Sequence, residues 1–128
     1  MSEYRSVATG LAWHDALNAG DVEGLLSLSD PDIELVGPRG SAFGRNVLRK
    51  WQAKAGMTLH AHAVFARADV VVVSEHGVWT QAGEVVGETD VASVFRVYDG
   101  KVAFLNRLDS LDAALNLAGL THQDQIRS

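Results

Sequence analysis

Arg107 and Asp109 stand two apart at the end of an apolar run formed by Val102, Ala103, Phe104 and Leu105, with Asn106 leading into them. Residues two apart on a strand share one face, so an extended chain here presents a guanidinium and a carboxylate together. A guanidinium cannot give up its charge, and inside an apolar cavity it needs an acceptor. Asp109 can be that acceptor, or a ligand can supply a carboxylate or enolate oxygen. The chemistry that suits the pair is proton transfer beside a carbonyl. Arg107 would hold the oxyanion as anchor or electrophile, and Asp109 would orient it or take the proton. Paired to a cation, Asp109 is a weak base, because a neighbouring positive charge depresses a carboxylate's pKa. A rim salt bridge without any ligand is the plain alternative.

The histidines offer less. His60 and His62 also lie two apart, and two imidazoles on one strand can chelate a metal, with His76 on the next strand as a third ligand. The spacing is common and no clear acid completes the set. No metal is assigned, and the pair is read as exposed or at a dimer interface. His14, beside Trp13, is either a pocket acid–base group or a partly buried structural residue. Glu34, next to Leu35, should point outward and reads as surface. There is no GxGxxG, P-loop, HExxH or GxSxG motif, so nucleotide cofactors and serine-hydrolase chemistry find no support and no cofactor is expected.

These residues need elements to position them. Residues 4–19 read as an amphipathic helix, with Val7, Leu11, His14 and Leu17 at helical spacing. Gly20 ends it, Asp21 caps a short helix over 22–28, and Asp30-Pro31 closes that helix. Ile33 to Val36 reads as a short strand, and 37–40 as a turn. A third helix spans 44–55. Val47, Leu48, Trp51 and Ala55 form its apolar side, and Arg45, Arg49, Lys50 and Lys54 form a solvated face or an anion-binding patch. Strands follow at 59–66, 70–80, 85–97 and 102–108, rich in Val, Phe and Trp. Their short connections favour antiparallel pairing. Ser110 or Asp109 caps a last helix over 111–118, Gly119 ends it, and the polar tail 121–128 is expected to fray. Helices first and strands after make an α+β pattern: a curved antiparallel sheet wrapped over three helices, with an internal pocket between the sheet and the first helix.

Composition narrows the function. The chain has 128 residues, 47% of them hydrophobic, which suits one domain spanning 1–128. It has no cysteine, so disulfides and thiolate ligands are excluded. A formal net charge of −5 argues against nucleic acid as a partner. No apolar stretch approaches about 18 residues, which argues against a membrane partner, and the N-terminus lacks a signal-peptide core. These features together read as a soluble cytoplasmic protein. The Val-rich stretches 70–73 and 85–86 carry more apolar surface than one helix layer covers, which points to a homodimer.

Three strings carry a resemblance: LAWHDALNAGDVEGLLSLSDPDIELVGP (11–38), GRNVLRKW (44–51) and VASVFRVYDGKVAFLNRLD (91–109). They resemble the nuclear transport factor two superfold, in its branch of SnoaL-like polyketide cyclases and ketosteroid isomerases. The resemblance implies a cone-shaped, cystatin-like roll with a pocket. It places Trp13 and Trp51 among the lining, with Leu17, Leu35, Gly37, Ser93, Phe95 and Leu105. The isomerase groups themselves are missing: Trp13 stands where the isomerases have a tyrosine acid, Gly37 where they have the base aspartate, and Ser93 where they have the aspartate donor. Indole cannot replace a phenol acid and glycine cannot accept a proton, so ketosteroid isomerase chemistry is not expected.

Which face Arg107 occupies depends on one turn. A three-residue loop at 98–100 puts Ser93, Leu105, Arg107 and Asp109 on one side, whereas a two-residue type I′ turn at Asp99-Gly100 sets Ser93 opposite Asn106. The resemblance favours the first. Three functions follow: a cofactor-free isomerase or cyclase acting on a hydrophobic carbonyl compound through Arg107 and Asp109, a non-catalytic module for a hydrophobic acid, or a homodimeric association domain.

Overall fold

The computed structural model describes residues 3–37, 40–54 and 57–126. Its elements run α1 (Glu3–Ala19), α2 (Val22–Ser27), β1 (Ser29–Gly37), β2 (Gly40–Phe43), α3 (Arg45–Lys54), β3 (Met57–Arg67), β4 (Val70–Gln81), β5 (Glu84–Tyr98), β6 (Lys101–Leu108), α4 (Leu111–Ala118) and a 3₁₀ turn, His122–Asp124. Local chemistry explains the helix ends. Asp21 accepts from the Gly24 N–H to start α2, Ser110 accepts from the Ala113 N–H to start α4, and Gly119 closes α4 at a left-handed φ of 73°.

The six strands form one sheet in the order β2-β1-β6-β5-β4-β3. Two-residue turns join β3 to β4, β4 to β5 and β5 to β6. The sheet is not wholly antiparallel: β1 lies parallel to β6, with Leu35 beside Leu105. The short strand expected at 33–36 is longer, and it pairs with β2, a strand the sequence pattern does not announce.

Alternation sends odd-numbered residues of β4 and β5 to the inner side. There Val71, Val73, Val91 and Phe95 pack with Trp13 and Leu17 of α1, Leu35, Leu48 of α3, Leu59 and Leu105. The helices α1, α2 and α3 cover this concave face. The other face is covered in part by α4, where Ala114 and Leu115 pack on Phe65, Val72, Ala92 and Val94. This second layer corrects the expectation of surplus apolar surface at 70–73, since Val71, Val72 and Val73 are fully buried within the chain. Val85 and Val86 stay exposed.

The tail expected to fray is held down as far as Ile126. A capping box at Thr121 and Asp124 closes the 3₁₀ turn, Arg67 pairs with Asp124 at 2.8 Å, and the Ile126 N–H donates to the Val64 carbonyl at 2.7 Å. Residues 127–128 lie outside the described residues. Among the described residues no helix is long and apolar enough to cross a membrane.

Candidate functional site

A β-bulge decides what β6 offers the interior. Asp99 and Gly100 do form a two-residue turn, with φ of 52° and 75° and Tyr98 paired to Lys101. The three-residue loop is therefore not adopted. Without interruption this turn would bring Asn106 opposite Ser93. Instead the pairing shifts between Val97↔Val102 and Arg96↔Phe104, so that Ala103 is the extra residue and Ser93 meets Arg107. One bulge undoes the one-residue slip, and Leu105 and Arg107 face inward while Phe104 packs outward beneath Arg96.

The inward polar group gathers around a residue that the sequence reading did not single out. Glu75 of β4 is 0% exposed. The Ser93 hydroxyl donates to its Oε1 at 2.6 Å, and His14 Nε2 approaches its Oε2 at 2.8 Å. The histidine contact has ion-pair distance without the alignment of a full hydrogen bond. Each oxygen thus has one polar neighbour, the Ser93 hydroxyl on one side and the His14 imidazole on the other. Glu75 lies in phase with Val71 and Val73 in a valine-rich strand, and this is the signal that could have revealed it.

The tautomer of His14 follows from Asn18. The Asn18 amide accepts from the Leu59 N–H at 2.9 Å and donates to the Leu59 carbonyl at 2.7 Å, so its orientation is fixed. Its Nδ2 therefore faces His14 Nδ1, 3.4 Å away, and Nδ1 is the acceptor. The ring proton sits on Nε2, aimed at Glu75. Hydrogen bonds to α1 and β3 thus orient an imidazole against a buried acid.

Arg107 enters the same space from β6. Its Nη1 reaches Met57 Sδ at 3.8 Å, across the concave side from β6 to β3. Its Nε and Nη2 are sealed from solvent. Burial pushes the guanidinium's pKa down, and the negative charge of Glu75 pulls it back up. Glu75 is thus an acid within electrostatic reach of Arg107. Asp109 lies past the end of β6 and is exposed, because the strand stops at Leu108 and the chain bends into the cap of α4.

The other expected site residues divide in three. Trp13, Leu17, Leu35, Phe95 and Leu105 come together in the inner core, with Trp13 edge-on to Phe95 at 5.6 Å and its indole N–H donating to Ser29 at 2.9 Å. Gly37 is exposed at the end of β1, away from the cluster, where it pairs with Gly40. Trp51 lies on α3, but its side chain is outside the described residues. Trp79 packs over Gly77, where an added Cβ would meet its ring at 3.0 Å. Of the basic residues on α3, Arg45 donates to the Ser29 carbonyl and Arg49 makes a loose exposed pair with Glu23, as a structural and solvated face does. On the outer face, hydrogen bonds to Glu88 and then Asp90 raise the His76 pKa.

The SnoaL-like domain family matches residues 11–105. No curated protein matches the chain. Among solved structures, Bal32a from a soil-derived mobile gene cassette is 18% identical with a TM-score of 0.75, covering 91% of this chain and 97% of its own. TerC, co-crystallised with polyporic acid, is 23% identical with a TM-score of 0.73, covering 90% and 98%. A protein from Xanthomonas campestris pv. campestris that carries a polyketide cyclase designation is 19% identical with a TM-score of 0.68, covering 87% and 94%. At these identities the likeness is one of fold.

Proposed function

The chain belongs to the SnoaL-like family, and from that premise we propose that it is a cofactor-free isomerase or cyclase acting on a hydrophobic carbonyl compound at the inward end of β6. Arg107 is the anchor for a carboxylate or a developing enolate oxygen. The proton-handling role assigned to Asp109 from sequence passes to Glu75, the carboxylate on the same inner side. The carbon acid gives its proton to Glu75, whose alternative partner is the His14 N–H, and the same proton returns to a second carbon. Ser93 and His14 hold the carboxylate in place between these steps. The observation that carries this reading is a fully buried carboxylate met by Ser93 at 2.6 Å and His14 at 2.8 Å, since a charge so placed is costly unless it is paired.

The test uses aromatic carboxylic acids and their methyl esters, first by thermal shift and then by NMR for solvent deuterium entering beside the carbonyl. Acid-selective stabilisation that vanishes in Arg107→Ala supports the anchor, and deuterium exchange lost in Glu75→Gln supports catalysis. Binding without exchange makes the protein a module for a hydrophobic acid. No stabilisation by any compound removes the reading. Self-association is a second reading, favoured by Val85 and Val86 at 58% and 61% exposure, and sedimentation at micromolar concentration tests it.

A further inference from the structure

We propose that the outer face of the sheet carries a zinc site built by His62, His76 and Asp90. These residues come from three adjacent strands, β3, β4 and β5, and one ligand atom from each lies within 4.8 Å of the others. Two features of the sheet bring them together. His76 and Asp90 are direct partners in the β4–β5 register, and Asp90 Oδ1 lies 2.9 Å from His76 Nδ1. On β3 the pairing shifts between Ala61↔Glu75 and Ala63↔Ser74, so His62 is the bulged residue. Its ring centroid stands 6.2 Å from that of His76. Without the bulge this histidine would lie in ordinary alternation with no reason to lean on its neighbour.

Two imidazoles and one carboxylate are a donor set for zinc, whereas magnesium and calcium favour oxygen donors alone. Ligand atoms on a tetrahedral zinc stand about 3.3 Å apart. The set therefore closes by small rotations of side chains that solvent already reaches. Zinc takes His76 on its Nδ1 side, where Asp90 stands. The Nε2 side remains with Glu88, whose Oε1 lies 2.9 Å away. A carboxylate accepting from the far ring nitrogen is the arrangement that fixes tautomer and ring angle in metal-bound histidines. Water fills the fourth position. The site is separate from the inward cluster, because His76 and Glu75 are successive residues of one strand and point to opposite faces.

The experiment titrates zinc chloride into the full chain, freed of any histidine tag, against a chromophoric zinc indicator, with Co²⁺ absorption as a second readout. The variants are His62→Ala, Asp90→Asn and Glu88→Gln, with His122→Ala as the control, since His122 sits apart with Asp112. Wild type should bind one equivalent and give the visible bands of four-coordinate cobalt. His62→Ala and Asp90→Asn should weaken binding by at least about tenfold, and Glu88→Gln by roughly tenfold through the lost orienting bond. His122→Ala should leave binding unchanged. Far-UV circular dichroism without metal checks that each variant is folded. Absence of zinc uptake by wild type, or uptake that survives His62→Ala unchanged, overturns the proposal.

Discussion

Glu75→Gln keeps the shape of the side chain and removes its charge. In one orientation the Ser93 hydroxyl still donates to the amide oxygen and the new NH₂ group points at His14 Nε2–H, donor against donor. Moving the ring proton to Nδ1 does not help, because Asn18 Nδ2 already points there and Leu59 fixes the Asn18 amide on both sides. In the flipped orientation the amide oxygen takes the His14 N–H and the NH₂ donates to Ser93 Oγ, whose own proton then loses the carboxylate. Either way one buried donor goes without the acceptor it had, at a cost of about 1–3 kcal/mol. Arg107 also loses the opposing charge, which adds about 1 kcal/mol, well below the value for a fully buried pair because Arg107 is only half-buried. The variant should lose about 2–4 kcal/mol, and for a chain of this size its Tm should fall by about 6–20 °C. Urea unfolding followed by circular dichroism, with an unchanged m-value, measures it. Glu75→Gln combined with Arg107→Met should cost less than the two changes added, since no cation is left stranded. A Glu75→Gln variant within ~0.5 kcal/mol of wild type would refute the reasoning, because it would mean that no carboxylate charge stands in the core.

Gly77→Ala should cost about 1–3 kcal/mol, as its Cβ displaces the Trp79 ring from 3.0 Å, and near-UV circular dichroism should register the moved indole. Asp124 has a pKa held below the usual carboxylate value, chiefly by the Thr121 backbone N–H and then by Arg67. Its depressed folded value means that its contribution is present above the unfolded pKa and is lost as pH falls through the folded one. The protection factor of the Ile126 amide should fall below about pH 4, and Asp124→Asn should remove that dependence. Ala82 sits at φ 54° in the β4–β5 turn, and Ala82→Gly should raise stability by about 0.5–1 kcal/mol in the same urea assay.

Helix ends and hairpin positions were legible because their signals are local: Asp21, Ser110 and Gly119 act within one turn of the chain. The inward side of Phe95 and Leu105 came with the family resemblance, because alternation alone left two registers open at the Asp99-Gly100 turn. The polar centre was not. Glu75 stands in SEHGVWT, where its phase with Val71 and Val73 is the hint of burial, and the register of β4 against β5, which sets Ser93 opposite Val73 two residues away, gives it its partner inside. Asp109 looked like the partner of Arg107 because strand spacing was carried one step too far, past Leu108 where the strand ends. Docking of the 121–126 segment was also hidden, because it depends on Arg67 and Val64 more than fifty residues away.

The extra residue at Ala103 separates the tip of the last hairpin from its base. Loss of that single codon would leave the Asp99-Gly100 turn intact and close the ladder without a bulge, with Phe104 still opposite Arg96 and with Leu105 and Arg107 still facing the interior. Pairing Ala103 into the ladder instead would set Asn106 opposite Ser93, and a cation inside the sheet would become an amide with no substitution at all. A chain that lacks the bulge residue therefore needs a gap at Ala103 before its inner face can be compared with this one.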